Sequence, residues 1–226
     1  MIKNVLKYLF TILLIPLTVF LGVALFPERS YAIISIAVVF LACVPFFLSF
    51  ERKNSSTRRI VLLAVMTAFS VAGRFIFAPI PFFKPVTAIV IISGMYFGSE
   101  FGFLTGTLTA LISNFYFGQG PWTPFQMFSW GIIGFIAGII ANPLIKSKLL
   151  LAVYGALSGV AYSLMMDVWT TIWSDGAFNP LRFYGAVISA LPITLQYYVI
   201  SNIIFLLIFT PLFSKKIERL KNKYGI

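Results

Sequence analysis

The chain contains no histidine and only one cysteine, Cys43. The lack of histidine excludes histidine-based catalysis, the common histidine metal sites and histidine proton relays. One cysteine cannot form an intramolecular disulfide or a cysteine cluster. Because Cys43 lies in an apolar run, we interpret it as a small buried hydrophobic residue. The sequence therefore predicts no bound metal and no cofactor.

Charged residues are also scarce. They make up 10% of the 226 residues, whereas a soluble domain carries roughly 25%. Such a chain cannot cover a surface that faces water, and 60% of its residues are hydrophobic, with a mean hydropathy of +0.98. The apolar runs are long and unbroken, unlike the alternating pattern of a transmembrane β-barrel. The composition predicts an all-α fold, a polytopic transmembrane helical bundle.

Apolar runs separated by charge, proline or glycine predict eight membrane spans. Their bounds are 5–26, 31–50, 59–78, 86–98, 101–117, 124–145, 149–173 and 182–213. A single helix over residues 86–117 would be roughly 48 Å long, but the hydrocarbon core is only about 30 Å thick. We therefore place a break at residues 98–102.

A polar stretch divides the chain into two parts. Residues 51–58 form a basic cytoplasmic linker between a two-helix transmembrane extension, residues 1–50, and a six-helix core, residues 59–213. A basic cytoplasmic tail follows at residues 214–226. Nearly every unusual residue lies in the core, so we expect the functional site there.

Lysine and arginine predict the orientation of the spans. Thirteen of the seventeen basic residues fall on the side that carries both termini, and such an excess is typical of the cytoplasmic side. Three lie on the other side, and Arg74 lies within a span. We expect a multi-pass protein of the cell membrane with both termini in the cytoplasm.

Two charges lie inside the predicted spans. Arg74 is near the outer end of its span, and Asp167 is in the outer third of another. Charges at such depth are costly and are usually paired or line a cavity. Two interpretations stay open, a structural Arg74–Asp167 ion pair and a contact of one or both residues with a polar ligand.

All four tryptophans fall in the outer half of the predicted bundle, three within its spans and Trp122 just before the span 124–145. A membrane aromatic belt would place tryptophan at both interfaces. Trp130 and Gln126 are four residues apart and therefore share a helix face. We predict a cavity with aromatic walls and a few amides that opens outward. Its candidate binding residues are Arg74, Lys84, Asn114, Gln119, Trp122, Gln126, Trp130, Asp167, Trp169 and Trp173.

Small residues recur at a spacing of four, a pattern that lets helix backbones approach closely. Glycine pairs at 94/98, 102/106, 134/138 and 155/159 predict contacts within the bundle. Ala64, Ala68 and Ala72 continue this spacing in one span, and the first two lie in its cytoplasmic half. They leave two alternatives, packing inside the bundle or a smooth groove for a partner subunit.

Several catalytic motifs are missing from the chain. It has no P-loop, no second deep carboxylate beside Asp167 and no Gly-x-Ser-x-Gly elbow. We therefore expect neither an enzyme nor an ATP-binding protein of the P-loop type.

Four features follow one another in the core. A basic linker leads into an Ala-x-x-x-Ala pattern at residues 64–68, and a proline-rich loop follows at residues 79–85. A glycine-bearing stretch spans residues 92–106, and Gly-Gln-Gly-Pro-Trp-Thr-Pro-Phe-Gln-Met begins at Gly118. Over residues 59–213 the chain thereby resembles the substrate-binding S component of energy-coupling-factor (ECF) transporters.

The resemblance implies a division of labour. S components capture a vitamin or similar micronutrient outside the cell with high affinity. They then associate with a transmembrane coupling subunit that two ATPases drive. The resemblance also implies that Ala64 and Ala68 face the coupling subunit. The two N-terminal helices are a departure, because the family core has six helices.

The substrate is a separate question. Residues 121–127 look most like cobalamin-type S components, so we expect a corrinoid. A queuosine precursor or another flat heteroaromatic vitamin is an alternative. Other classes also stay open, namely a stand-alone secondary carrier or channel and a structural membrane assembly protein.

Overall fold

The computed structural model describes residues 56–175 and 179–224, with a few single positions before them. All regular elements in these two ranges are helical. The all-α class that the sequence predicts is therefore confirmed for this part of the chain. Apart from the single positions, the predicted two-helix extension, most of the linker and Cys43 lie outside the described residues.

The described helices follow the predicted core spans closely. They are α1 (Ser56–Ile76), α2 (Val86–Phe97), α3 (Ser99–Phe117), α4 (Thr123–Ile139), α5 (Ala141–Lys146), α6 (Lys148–Asp175), α7 (Pro180–Ile193) and α8 (Ile200–Tyr224). A π-helical segment, Thr194–Val199, joins α7 to α8. The last helix runs through the predicted tail as far as Tyr224.

Three helical stretches in the described part are long and apolar enough to cross a membrane. They are Thr57–Ile76, Lys148–Ser174 and the continuous stretch Pro180–Arg219. By contrast α2 has only 12 residues, or about 18 Å of helix. Eleven of these residues are buried, because α1, α3, α4 and α8 all pack around α2. This short helix is thus enclosed by its neighbours rather than exposed to lipid.

The predicted break after residue 97 is confirmed. Gly98 separates α2 from α3 with a φ of 104° and a ψ of 167°, a backbone conformation that glycine adopts far more readily than other residues. Its N–H closes the last turn of α2 on the Gly94 carbonyl, and its own carbonyl accepts from Gly102 N–H. One glycine therefore ends one helix and starts the next.

Two predicted spans are interrupted at prolines. The span predicted over residues 124–145 is divided at Ile140, and the span over residues 182–213 contains the π-helical segment. Proline lacks an N–H and its ring clashes with the carbonyl four residues earlier. For Pro143 that carbonyl belongs to Ile139, where α4 ends. Pro192 lies two residues before the π-helical segment.

Glycines bring α2, α3 and α4 into backbone contact, as the four-residue spacing predicts. A Cβ atom on Gly94 or Gly102 would lie closer than 3.0 Å to the Gly134 carbonyl. A Cβ atom on Gly106 would lie 2.5 Å from the backbone of Trp130. We call this contact of Gly94, Gly102, Gly106 and Gly134 the glycine seam. It leaves no room for a side chain.

Gly134→Ala is expected to lower the free energy of unfolding by roughly 1–3 kcal/mol, because the added methyl group meets backbone that cannot move aside. The matched control is Gly185→Ala on α7, where a Cβ atom meets nothing within 4 Å. Denaturant unfolding of the purified proteins measures the free energy of unfolding of each variant relative to wild type. Equal stability of Gly134→Ala and wild type would contradict the tight contact.

Candidate ligand-binding site

A cavity of about 360 Å³ lies among the described helices. Its wall is built from α1, α2, α3, α4, α6, α8, the π-helical segment and the α1–α2 loop. Ligand pockets commonly have volumes of about 300–1,000 Å³, so this cavity has room for a small molecule. Most of its wall is apolar or aromatic, with a few polar groups.

A chain of hydrogen bonds connects four helices beside the cavity. Arg74 on α1 donates from Nη1 to Oδ1 of Asn114 on α3, at 2.7 Å. Asn114 Nδ2 donates to Oε1 of Gln126 on α4, at 2.8 Å, and to Thr123 Oγ1, at 3.0 Å. Gln126 Nε2 donates to the hydroxyl of Tyr162 on α6, at 3.1 Å. These buried and half-buried polar groups hydrogen-bond one another, as most polar groups in a protein interior do.

Aromatic side chains form one side of the cavity. The rings of Trp130 and Tyr162 are stacked, with centroids 5.3 Å apart and planes 14° apart. Tyr198, in the π-helical segment, meets Tyr162 edge-on at 5.3 Å. The Arg74 guanidinium lies over the Phe117 ring at 4.7 Å and over the Trp130 ring at 5.3 Å. Such cation–π contacts stabilise a charge that has left bulk water.

The α1–α2 loop borders the cavity. Lys84 donates from Nζ to the carbonyls of Phe77 and Ile80, the second at 2.7 Å, and so it caps the end of α1. Phe82 has a φ of 57° and places its ring 6.0 Å from that of Tyr198. The pKa of Lys84 lies below its ordinary value, first because of burial and second because of the nearby Arg74 charge.

The sequence model of the ECF-type riboflavin transporter S component family matches residues 54–215, more than two thirds of the chain. The chain belongs to this family. S components are the substrate-binding subunits of transporters and are not enzymes. Membership implies a vitamin substrate, a transmembrane coupling subunit and ATPase partners. It supports the expected S component but not the cobalamin type in particular. No solved structure matches the chain.

The residues that the sequence nominates occupy different positions in this S component. Arg74, Lys84, Gln126 and Trp130 line the cavity, and Asn114 stands directly behind it, bonded to Arg74 and Gln126. The remaining uncharged candidates do not line it. Gln119 donates to the Leu111 carbonyl at 3.0 Å, Trp122 packs edge-on against Trp169 at 5.9 Å, and Trp173 is exposed.

Several residues of the cavity wall were not predicted from the sequence. Tyr162, Tyr198, Phe82 and Phe117 supply much of the aromatic surface, and Asn202 is a polar group in an apolar helix. The only sequence feature that marks these tyrosines is a hydroxyl group within an apolar run. Tyrosines that merely pack in the core show the same feature, so it does not indicate a binding site. Asn202 Nδ2 donates to the Gly155 carbonyl at 3.1 Å, so it also joins α8 to α6.

Asp167 lies away from the cavity wall. Its side chain is 8% exposed, and its Oδ2 atom has no hydrogen-bond partner among the described residues. The hydrogen bonds of the Arg74 side chain in this part of the chain go to Ser113 and Asn114. Neither the predicted Arg74–Asp167 ion pair nor an Asp167 position on the cavity wall is therefore seen in the described residues.

Asp167→Asn is expected to leave the vitamin affinity within about twofold of wild type. The melting temperature without ligand should stay unchanged or rise, because asparagine keeps the shape and removes the negative charge beside a buried oxygen, Oδ2, that has no hydrogen-bond partner among the described residues. Thermal unfolding and calorimetric titration measure the two quantities. A lower melting temperature of the ligand-free variant would favour an ion pair, and lost ligand stabilisation would favour ligand contact.

Proposed function

We propose that this S component captures a flat heteroaromatic vitamin from outside the cell membrane in the cavity beside Gln126, Trp130 and Tyr162. The bound vitamin is then transferred to the cytoplasm by an ATP-driven transporter of which this chain is one subunit. The observation that carries the proposal is the aromatic wall next to a hydrogen-bonded amide.

The chemistry of this wall suits a planar, amide-rich ligand. Aromatic rings favour offset-stacked and edge-on neighbours, and both Trp130 and Tyr162 border the cavity. The Gln126 amide is held at both ends by Asn114 and Tyr162. Its carbonyl keeps one lone pair and its NH₂ keeps one N–H for a ligand. A fixed amide lowers the cost of ordering the site on binding.

The family match and the residues at the start of α4 favour different vitamins. The family description names riboflavin, and a flavin is comparable in size to a cavity of about 360 Å³. Residues 121–127 favour a corrinoid, which is several times larger and would have to extend out of the cavity. We therefore take a flavin as the first candidate substrate. A corrinoid is the second, and a queuosine precursor is a smaller alternative.

Trp130→Ala is expected to weaken vitamin binding roughly tenfold or more, because it removes a stacking surface worth about 0.5–1.5 kcal/mol beyond its buried area. The matched control is Trp173→Ala, since Trp173 is 44% exposed and away from the wall. Calorimetric titration with riboflavin, cobalamin and the queuosine precursor measures the affinities. Equal loss in both variants, or none in Trp130→Ala, would contradict the site.

We also propose that α1 docks on the coupling subunit. Ala64, Ala68 and Ala72 are all exposed on this helix, and Val65 and Phe69 beside them are exposed as well. Small side chains on one face let a partner helix approach closely. The predicted cytoplasmic position of both chain termini would put Ala64 and Ala68 in the cytoplasmic half of α1.

Ala64→Trp or Ala68→Trp is expected to leave vitamin binding intact and to abolish uptake, because an indole prevents close helix contact. Ala161→Trp on α6 is the control, since Ala161 is exposed on another helix. Uptake by vesicles that contain the complete transporter is compared with binding by the isolated subunit. Wild-type uptake in the α1 variants would remove these alanines from the docking surface.

The same preparations separate the other functional classes. A stand-alone carrier or channel would move the vitamin into vesicles without ATP or a coupling subunit. A structural assembly protein would show no stabilisation by any vitamin.

A further inference from the structure

The charge on the cavity wall is unbalanced. Fifteen residues line the cavity, and two of them, Arg74 and Lys84, are basic. None of the fifteen is aspartate or glutamate. The wall therefore carries positive charge alone.

The described partners of Arg74 are all neutral. Its guanidinium donates to the Ser113 hydroxyl and to Asn114 Oδ1, and it lies over the rings of Phe117 and Trp130. Both hydrogen bonds leave from Nη1, which carries two of the five guanidinium N–H groups. The Nε and Nη2 side of the fork, which suits carboxylate and phosphate, makes no hydrogen bond to the described residues.

Lys84 is in a similar position. Its ammonium group donates to two backbone carbonyls, those of Phe77 and Ile80. An ammonium has three N–H groups, so one remains for another acceptor. Carbonyl oxygens orient the lysine but bring no negative charge.

The described acidic side chains do not supply the missing charge. Asp167 is off the wall and its Oδ2 atom makes no hydrogen bond within the described part of the chain. It interacts electrostatically with Tyr198, whereas the charge interactions of Arg74 are with Tyr162 and Tyr198. Glu100 lies fourteen residues before Asn114 on α3, about 21 Å along the helix. Glu218 lies sixteen residues after Asn202 on α8, about 24 Å away. An uncompensated charge at membrane depth is costly.

We infer that the ligand brings the negative charge, as a carboxylate or phosphate group that pairs with Arg74 and Lys84. This inference rests on the proposed function, because it concerns the ligand of the same cavity. The ring of the vitamin lies against the aromatic wall and its anionic group meets the free side of the guanidinium. A charged hydrogen bond of this kind is stronger than one between neutral groups.

Matched vitamin pairs that differ by one charge test the inference. Riboflavin 5′-phosphate is compared with riboflavin, and nicotinate with nicotinamide, by titration of the full-length protein in nanodiscs at low salt. The anionic member of a binding pair is expected to bind about tenfold tighter or more. Arg74→Gln and Lys84→Gln should each reduce that preference. Arg182→Gln, at an exposed arginine off the wall, should retain it.

A second measurement needs no vitamin. Inorganic phosphate should raise the melting temperature of the wild-type protein above its value in chloride of equal ionic strength, and Arg74→Gln should lose this difference. Lys84→Gln serves the same purpose if Arg74→Gln does not fold. The absence of a phosphate effect in wild type, or its retention in both variants, would overturn the anion site.

The outcomes separate the two proposals. Equal or tighter binding of the neutral members overturns the inference and leaves vitamin capture intact. Failure of every vitamin to bind, together with a phosphate effect that depends on Arg74, contradicts the proposed function and supports the anion site.

Discussion

Backbone contact among α2, α3 and α4 is the constraint on which the rest of the structure depends. Lipid is as apolar as leucine, so helices in a membrane associate through close packing rather than through hydrophobic burial. The glycine seam provides that packing, since Gly94 and Gly102 both meet the Gly134 backbone. Trp130 lies one turn before Gly134, and its backbone packs against Gly106. The seam therefore also sets the depth at which the indole lies in the cavity.

The polar part of the site follows from the same contact. With α3 and α4 fixed against each other, Asn114 Nδ2 lies 2.8 Å from Gln126 Oε1 and donates a hydrogen bond to it. Asn114 then holds Arg74 of α1, and Gln126 holds Tyr162 of α6. Each bond orients the next side chain, so hydrogen bonds within the protein hold this part of the wall. A site ordered in this way spends less binding energy on immobilising side chains, as expected for the substrate-binding subunit of a transporter.

The helices were predictable because a membrane demands long apolar runs, and Gly98 ended one of them as predicted. The directions in which side chains point from the helices could not be predicted from the sequence. Tyr162 and Asp167 lie only about 7.5 Å apart along α6, but a helix turns about 100° per residue. Five residues therefore place Asp167 about 140° around the helix from Tyr162. Depth could be predicted from the sequence, but which face meets the cavity depends on neighbouring helices. The tyrosine was accordingly missed, and the aspartate was nominated although it lies off the wall.

The same reasoning explains why residues 121–127 say little about the substrate. Gln126 is the one member of that stretch on the cavity wall. Trp122 packs against Trp169, and the Thr123 hydroxyl accepts hydrogen bonds from Asn114 and from the Gly120 N–H. The others mainly hold the start of α4 in place, so two S components could share them and still bind different vitamins. The rest of the wall comes from Trp130, from α1, α2, α3, α6 and α8, from the α1–α2 loop and from the π-helical segment. We therefore expect the choice of vitamin to depend on the whole wall rather than on the stretch that suggested a corrinoid.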